Sequence, residues 1–341
     1  MARSALVVGG TGQIGRAVAR ALLEDGWAVT LGHRGWHPPP ADLLAQGVRV
    51  TLLDRDQPGA LEAALAGGAD AVIDVVAYGP EHADQLLEVQ CRVGALVVVS
   101  SASVYRDAAG RTLDEAAETG FPELPVPIPE TQPTVEPGPA TYSTRKAALE
   151  RRLLERARCP LTVLRPCAIH GPGSEHPREW WFVKRMLDGR RRIPLADCGR
   201  SRFHTTSVLN LAELVRTALA KPATRVLNAA DPDAPTVAEI GAAIAERLGY
   251  TGELVALDGY PPGVGTTPWS VPRPFVVDLR AAMGLGYAPV ATYTEALGPT
   301  CAWLVEVAKP GDWRERFPDL GHYPWDLFDY AAEDRLLAGR S

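Results

Sequence analysis

The chain is predicted to be an α/β protein, a doubly wound parallel sheet followed by a smaller C-terminal α/β lobe. Three observations predict this. Short apolar runs alternate with helical patterns through the first half, a glycine-rich turn joins the first run to the first helix, and the rhythm loosens after Arg165. Apolar runs bounded by turn signals, with helix-length stretches between them, are the pattern of strands covered on both faces by crossover helices.

The strands are expected at Ala5–Val8, Ala28–Leu31, Val48–Leu53, Ala71–Val76 and Leu96–Val99. Between the first two, Ile14–Glu24 puts Ile14, Val18, Ala21 and Leu22 on one stripe, as a crossover helix requires. Arg106–Pro139 is proline-rich and aperiodic, so it reads as a long loop of the kind that borders sites. A helix over Tyr142–Ala157 and a strand over Leu161–Leu164 follow. Further helices are expected at Glu179–Leu187, Val208–Ala220, Thr236–Leu248 and Glu295–Val307, with Val226–Ala229 returning a strand to the sheet. Residues 1–166, rejoined by 203–232, therefore form the first domain, and 167–341 form mainly the second. The stretch from Pro261-Pro262-Gly263 to Pro274 is irregular but packed, because Trp269 and Phe275 punctuate it. The tail carries Trp313, Phe317, Tyr323, Trp325, Phe328 and Tyr330, and that aromatic density predicts packing rather than disorder.

Bulk composition narrows the function classes. The net charge of −6 over 341 residues gives no global attraction to nucleic acid or an anionic membrane. Basic residues between Arg145 and Arg158 alternate with Glu150 and Glu155 at helical spacing, as on a solvated face. Five cysteines, widely spaced and without a Cys-x-x-Cys pair, indicate neither a disulfide framework nor a zinc site, so a reducing compartment, the cytoplasm, is expected. Ala5–Val8 is too short for a signal sequence, and no segment is long enough to span a membrane. His33, His37, His176 and His204 show no ligand spacing, so no metal is expected.

Gly9-Gly-Thr11-Gly12-Gln13-Ile14-Gly15 follows a strand and opens a helix. In that context Gly10-x-Gly12-x-x-Gly15 is specific: one glycine permits the turn, one admits a pyrophosphate to the backbone, and one lets helix and sheet approach. The helix N-terminus then faces the phosphates of a dinucleotide. An NAD site would place Asp or Glu at the end of the second strand. Here that position reads Gly32-His33-Arg34. A guanidinium pairs with a 2′-phosphate while stacking on adenine, so NADP(H) is favoured, with NAD(H) the alternative. Asp54, after the third strand, is either an acceptor for the adenine amine or part of a strand-end turn.

Tyr142-Ser-Thr-Arg-Lys146 pairs an acid/base phenol with a cation one helical turn away. A phenol titrates near pH ~10, and a neighbouring ammonium favours its ionised form. Ser100-Ser101-Ala102-Ser103 ends the fifth strand at the carboxyl edge of the sheet, where ligands bind in such folds.

Glycine loop, seryl strand end and Tyr-x-x-x-Lys, in that order, resemble the short-chain dehydrogenase/reductase superfamily, whose core is a Rossmann sheet. Leu164-Arg165-Pro166-Cys-Ala-Ile-His170-Gly171-Pro172-Gly173, and Arg202-Phe203 followed by Val208–Ala212, are similar to motifs of its extended branch, the NAD(P)-dependent epimerase/dehydratase group. The resemblance covers most of residues 4 to 250. It implies that Tyr142 is the general acid/base, that Lys146 binds the nicotinamide ribose and lowers the tyrosine pKa, and that Ser101 bonds the reacting oxygen. Ser103 is the alternative hydroxyl. His170 stands where the family has Tyr and is a candidate substrate contact, as is Arg202, which matches an arginine placed on a nucleotide-sugar diphosphate. The resemblance also implies a homodimer through helices near Tyr142. Two departures matter. Dehydratases carry an acidic pair where this chain has Ala102 and Ser103, and Tyr78–Val89 lacks the asparagine of the usual proton relay. The expectation is an NADP(H)-dependent oxidoreductase acting on a keto or hydroxyl group of a small polar substrate such as a sugar or nucleotide sugar. Epimerisation without net redox change is the alternative, and a cofactor-sensing or RNA-associated role is a more distant one.

Overall fold

The computed structural model describes residues 2–36, 38–259, 261, 263–308 and 312–339. His37 and Pro262 lie outside the described residues. The chain folds into two compact units. The first comprises Met1–Cys167, Val208–Ala230 and Val277–Val290, and the second Ala168–Ser207, Asp231–Val276 and Ala291–Ser341.

In chain order the first unit begins β1 (Ser4–Val8), α1 (Gln13–Glu24), β2 (Ala28–His33), α2 (Ala41–Ala45), β3 (Arg49–Leu52), α3 (Ala60–Ala64), β4 (Ala69–Asp74), α4 (Pro80–Val89) and β5 (Val93–Val99). It continues with α5 (Ala116–Thr119), α6 (Tyr142–Arg156) and β6 (Leu161–Pro166). The second unit contributes β7 (Ala168–His170), α7 (Trp180–Leu187), β8 (Arg192–Leu195) and β9 (Thr205–Ser207) before α8 (Val208–Ala220) and β10 (Arg225–Ala229) return to the first. The remainder is α9 (Val237–Leu248), β11 (Glu253–Ala256), α10 (Arg280–Gly284), α11 (Tyr293–Ala308), α12 (Trp313–Arg316) and α13 (Tyr330–Ala338).

The first unit is built on a seven-stranded sheet in the order β10-β6-β5-β4-β1-β2-β3. Every neighbouring pair runs parallel, so this is the doubly wound Rossmann arrangement. The order reverses between β1 and β4, and the crevice at that reversal is where such sheets bind ligands. α1 packs against α8 and α4 against α6. On α6 the apolar positions Leu149 and Leu153 are fully buried one turn apart, and they pack into a cluster with Leu86, Leu96, Val98 and Val163. Burying each such side chain contributes roughly 1.5–3 kcal/mol, which fixes the helix that carries Tyr142 and Lys146.

The second unit holds two further strand pairs, β8 with β11 and β7 with β9, both parallel. Its core gathers Trp181, Phe182 and Trp269 around α7, α9 and α11. Gly241 of α9 is required there, because a Cβ would lie 2.6 Å from the Phe182 ring. The aromatic tail packs within this unit, with Phe317 4% exposed and Trp313, Tyr323, Trp325 and Phe328 half-buried against the same cluster. Trp180, Trp181 and Phe182 belong to this core.

No helix among the described residues is long and apolar enough to cross a membrane.

Candidate active site

The glycine loop follows β1 beside the sheet's reversal point. Gly9 takes φ +83°, and a Cβ there would fall 2.6 Å from a Val76 methyl. Gly9 and Gly10 donate to Gly32 O at 3.0 and 3.1 Å, tying the loop to the end of β2. A Cβ on Gly15 would sit 2.4 Å from Gly9 O, whereas Gly12 has only that oxygen, at 3.4 Å, near its open face. Gly12 is also the N-cap of α1, without a side-chain cap and with no acidic residue in the first turn. The amides of Gln13 and Ile14 therefore open onto a cradle whose unfilled side fits a pyrophosphate. Thr11 is buried in the turn, and its carbonyl accepts from Arg16 Nε at 2.6 Å.

At the end of β2, Arg34 is exposed and its guanidinium lies 3.7 Å from the centroid of the Trp36 ring. Asp54 accepts the Asp56 amide at 3.2 Å, a strand-end turn.

Tyr142 is the first residue of α6, whose N-terminus is set by a reciprocal capping box between Thr141 and Thr144. Lys146, one turn on, is 2% exposed and donates to Ala77 O at 2.6 Å and Val99 O at 2.9 Å. Its Nζ lies 5.6 Å from the Tyr142 ring and 4.8 Å from the Tyr78 ring. The ammonium thus spends two of its three donors on the segment after β4 and the end of β5 and is bracketed by two aromatic faces. The Ser101 hydroxyl lies close enough to the Tyr142 phenol to favour its ionised form, and its Oγ accepts the Ser103 amide at 3.1 Å. Ser103 Oγ is engaged at 2.9 Å by Ser143 Oγ. The structure therefore brings Ser101, Tyr142 and Lys146 together and ties the alternative hydroxyl, Ser103, to α6.

The electrostatics differ from a simple lysine-activated phenol. The Tyr142 ring is 38% exposed, yet desolvation of its hydroxyl end pushes the phenol up to about 12, helped by Tyr78 and Asp114 and opposed by Ser101 and Arg145. Burial pushes Lys146 down to about 8, with Asp74 and Glu150 opposing.

Sequence reasoning missed four residues here. Asp74 ends β4, fully buried, and pairs with Arg55 Nη1 at 2.5 Å. Arg55 also donates to Gln85 Oε1 and His82 O, on α4. A carboxylate closing an apolar strand was the available signal. Tyr78 directly follows the Ala77 carbonyl that holds Lys146, and its amide donates to His82 Nδ1 at 2.8 Å. Asp114, from the long loop, accepts the Ser143 amide at 2.7 Å, so this loop docks on the N-terminus that carries Tyr142.

The remaining candidates lie in the second unit. His170 is 2% exposed, and its Nε2 meets Asp231 Oδ2 at 2.8 Å. Asp231 also accepts from Thr205 Oγ1 at 2.6 Å and Ser207 N at 2.7 Å. The ring of Tyr293 packs 4.8 Å from that of His170. His170 is an interior residue, its pKa raised by Asp231 against the burial that lowers it. Arg202 donates to Ala234 O and lies 3.9 Å from Glu239. His176 stacks on Tyr323, and His204 Nε2 bonds Asp231 O. Among the described residues no group of three or more His, Cys, Asp or Glu is placed to hold a metal ion.

A 2′-dehydrokanamycin reductase of Streptomyces kanamyceticus is 36% identical over 120 residues, 35% of this chain and 33% of that protein. A 2-alkyl-3-oxoalkanoate reductase of Stenotrophomonas maltophilia is 30% identical over 226 residues, 61% and 62% of the two chains. A chloroplast stem-loop binding protein of 41 kDa from Arabidopsis thaliana is 28% identical over 206 residues, 57% and 49%. The match thus spans between about a third and three fifths of these relatives' lengths. Among solved structures, a UDP-glucose 4-epimerase of Thermotoga maritima with UDP-glucose superposes with a TM-score of 0.67 at 19% identity, over 90% of this chain and 100% of that one, a likeness of fold. Residues 5–230 match the sequence pattern of the NAD dependent epimerase/dehydratase family, and the chain belongs to that family.

Proposed function

We propose that the protein is an NADP(H)-dependent reductase of a keto group on a small polar substrate, sugar-like or otherwise oxygen-rich. The observation that carries this reading is the convergence of Ser101, Tyr142 and Lys146, with the serine beside the phenol and the ammonium one turn below. A phenol held near 12 is protonated at neutral pH, the form that delivers a proton to an oxygen gaining negative charge. Ser101 and Tyr142 would together bond the substrate carbonyl oxygen, stabilising its charge as Tyr142 transfers the proton. The bound nicotinamide supplies the hydride. Lys146, with one N–H left, would bond a hydroxyl of the nicotinamide ribose. Gly12, Gln13 and Ile14 would hold the pyrophosphate, and Arg34 the 2′-phosphate. Ala102 and Ser103, where a dehydratase needs an acidic pair, argue against water elimination. Two relatives bearing the name of reductase support the same direction. The net charge of −6 and a complete acid/base set argue against a stem-loop-binding role like that in the plant relative's name. The test is to follow cofactor absorbance with the protein, NADPH and a panel of keto sugars, nucleotide sugars and 3-oxoacids. Stoichiometric NADPH consumption with one of them is expected. Interconversion of stereoisomers with no change in absorbance would make the protein an epimerase instead.

A further inference from the structure

Trp36 is 72% exposed, which by itself needs no explanation. The arginine stacked on it does. Arg34 is exposed and makes no hydrogen bond or ion pair among the described residues, so the five N–H donors of its guanidinium are uncommitted. Its backbone, by contrast, is anchored. Gly32 O, two residues earlier, accepts the amides of both Gly9 and Gly10, which holds the end of β2 against the glycine loop. Gly35, at φ +90°, donates to His33 Nδ1 at 3.2 Å, and this bend lets the side chains on either side of it meet, the guanidinium over the indole. A second guanidinium, Arg16, is fastened to the same loop through Thr11 O.

We infer that Trp36 is a positioning residue for a phosphomonoester on the 2′-oxygen of an adenine-linked ribose: its indole holds the Arg34 guanidinium flat beside the glycine loop. An unsupported arginine samples many rotamers, and each hydrogen bond to a phosphate then costs ordering. Stacking on an indole removes part of that cost and leaves the edge of the fork free for bidentate contact with phosphate oxygens. This inference rests on the NADP(H) reading above and adds a residue that discriminates the phosphorylated from the unphosphorylated dinucleotide.

The experiment is isothermal titration of the full chain, and of its Trp36→Ala, Trp36→Phe and Arg34→Ala variants, with NADPH, NADH, adenosine 2′,5′-bisphosphate and AMP. Trp36→Ala should weaken NADPH and the bisphosphate by roughly threefold to fivefold, the worth of an exposed cation–π contact, and leave NADH and AMP unchanged. Trp36→Phe, which keeps an aromatic face, should retain most of the discrimination. Equal weakening of all four ligands, or no weakening, overturns the inference. Arg34→Ala separates the two levels: if it abolishes a preference for NADPH that Trp36→Ala preserves, only the role of Trp36 fails. If the unmodified protein shows no such preference, or Arg34→Ala leaves it intact, the NADP(H) reading fails and takes the role of Trp36 with it.

Discussion

Lys146 in the first unit and His170 in the second are both 2% exposed, and both are candidate site residues by sequence, but their surroundings differ. His170 is bonded directly to the Asp231 carboxylate, which Thr205 and Ser207 also satisfy. Lys146 has backbone carbonyls and two aromatic faces, and no ion pair among the described residues. A buried charge bonded to a counter-charge is committed within the fold, and removing its partner is costly. One held by neutral groups, with a donor to spare, is available to a ligand. Burial alone does not distinguish the two.

The largest expected effect that tests this contrast is on Tyr142. Tyr142→Phe should lower kcat about 10²–10⁴-fold on any accepted keto substrate, with the melting temperature unchanged; intact turnover would remove the first cluster from catalysis. Next, Asp231→Asn leaves His170 buried without its counter-charge and should cost about 3–5 kcal/mol in urea unfolding, with dinucleotide affinity unaltered. The sign with pH follows from the raised folded-state pKa of His170: the pair's contribution is full below the unfolded histidine's ~6.5 and is lost as pH rises through the folded value. The gap between the two proteins in urea melts should therefore narrow at high pH, and a constant gap would contradict the pairing.

A smaller effect is expected from Lys146, whose folded pKa of about 8 lies below its ordinary 10.5. The charged form is lost in the folded protein as pH rises through about 8, so dinucleotide affinity should fall by about tenfold at pH 9, measured by fluorescence titration. Flat affinity across that range would show that the ammonium does not contact the cofactor. The smallest effect is that of Tyr78. Tyr78→Leu should remove roughly 0.5–2 kcal/mol of cation–π support and move the midpoint of that pH dependence downward, while Tyr78→Phe should not.

What is legible in the sequence is what is local in it. The glycine loop and the Tyr142/Lys146 spacing involve neighbours on one turn or one helix face, and both are where the pattern puts them. The strands of the sheet are legible because apolar runs such as Val93–Val99 are buried on both sides. Tyr78 is invisible because it meets Lys146 only after β4 and α6 are packed; the neighbouring Ala77–Lys146 bond spans 69 residues. β7 and β9 have three residues each, too few to show a period of two. The sequence gives no sign that Val277–Val290 belongs to the first unit, because its ties are long-range, such as Asp278 N to Ile128 O at 2.8 Å and Lys221 Nζ to Leu285 O at 2.8 Å. The missing relay asparagine is visible in the sequence, but the direct clamp of Lys146 by Ala77 O and Val99 O is not, since carbonyls carry no signature there.

The first unit is discontinuous in the chain, and that sets a limit on how the protein can be taken apart. A fragment ending at Pro166 would keep the glycine loop, Ser101, Tyr142 and Lys146, yet it would lose β10, the strand hydrogen-bonded along β6. Every residue of β6 is buried in the intact protein, so the fragment would present a bare apolar edge for other chains to add to. It would also lose α8, uncovering the part of α1 packed against it. The first unit therefore cannot be excised as a module or grafted elsewhere by a single cut; a transplant would have to carry Val208–Ala230 with it.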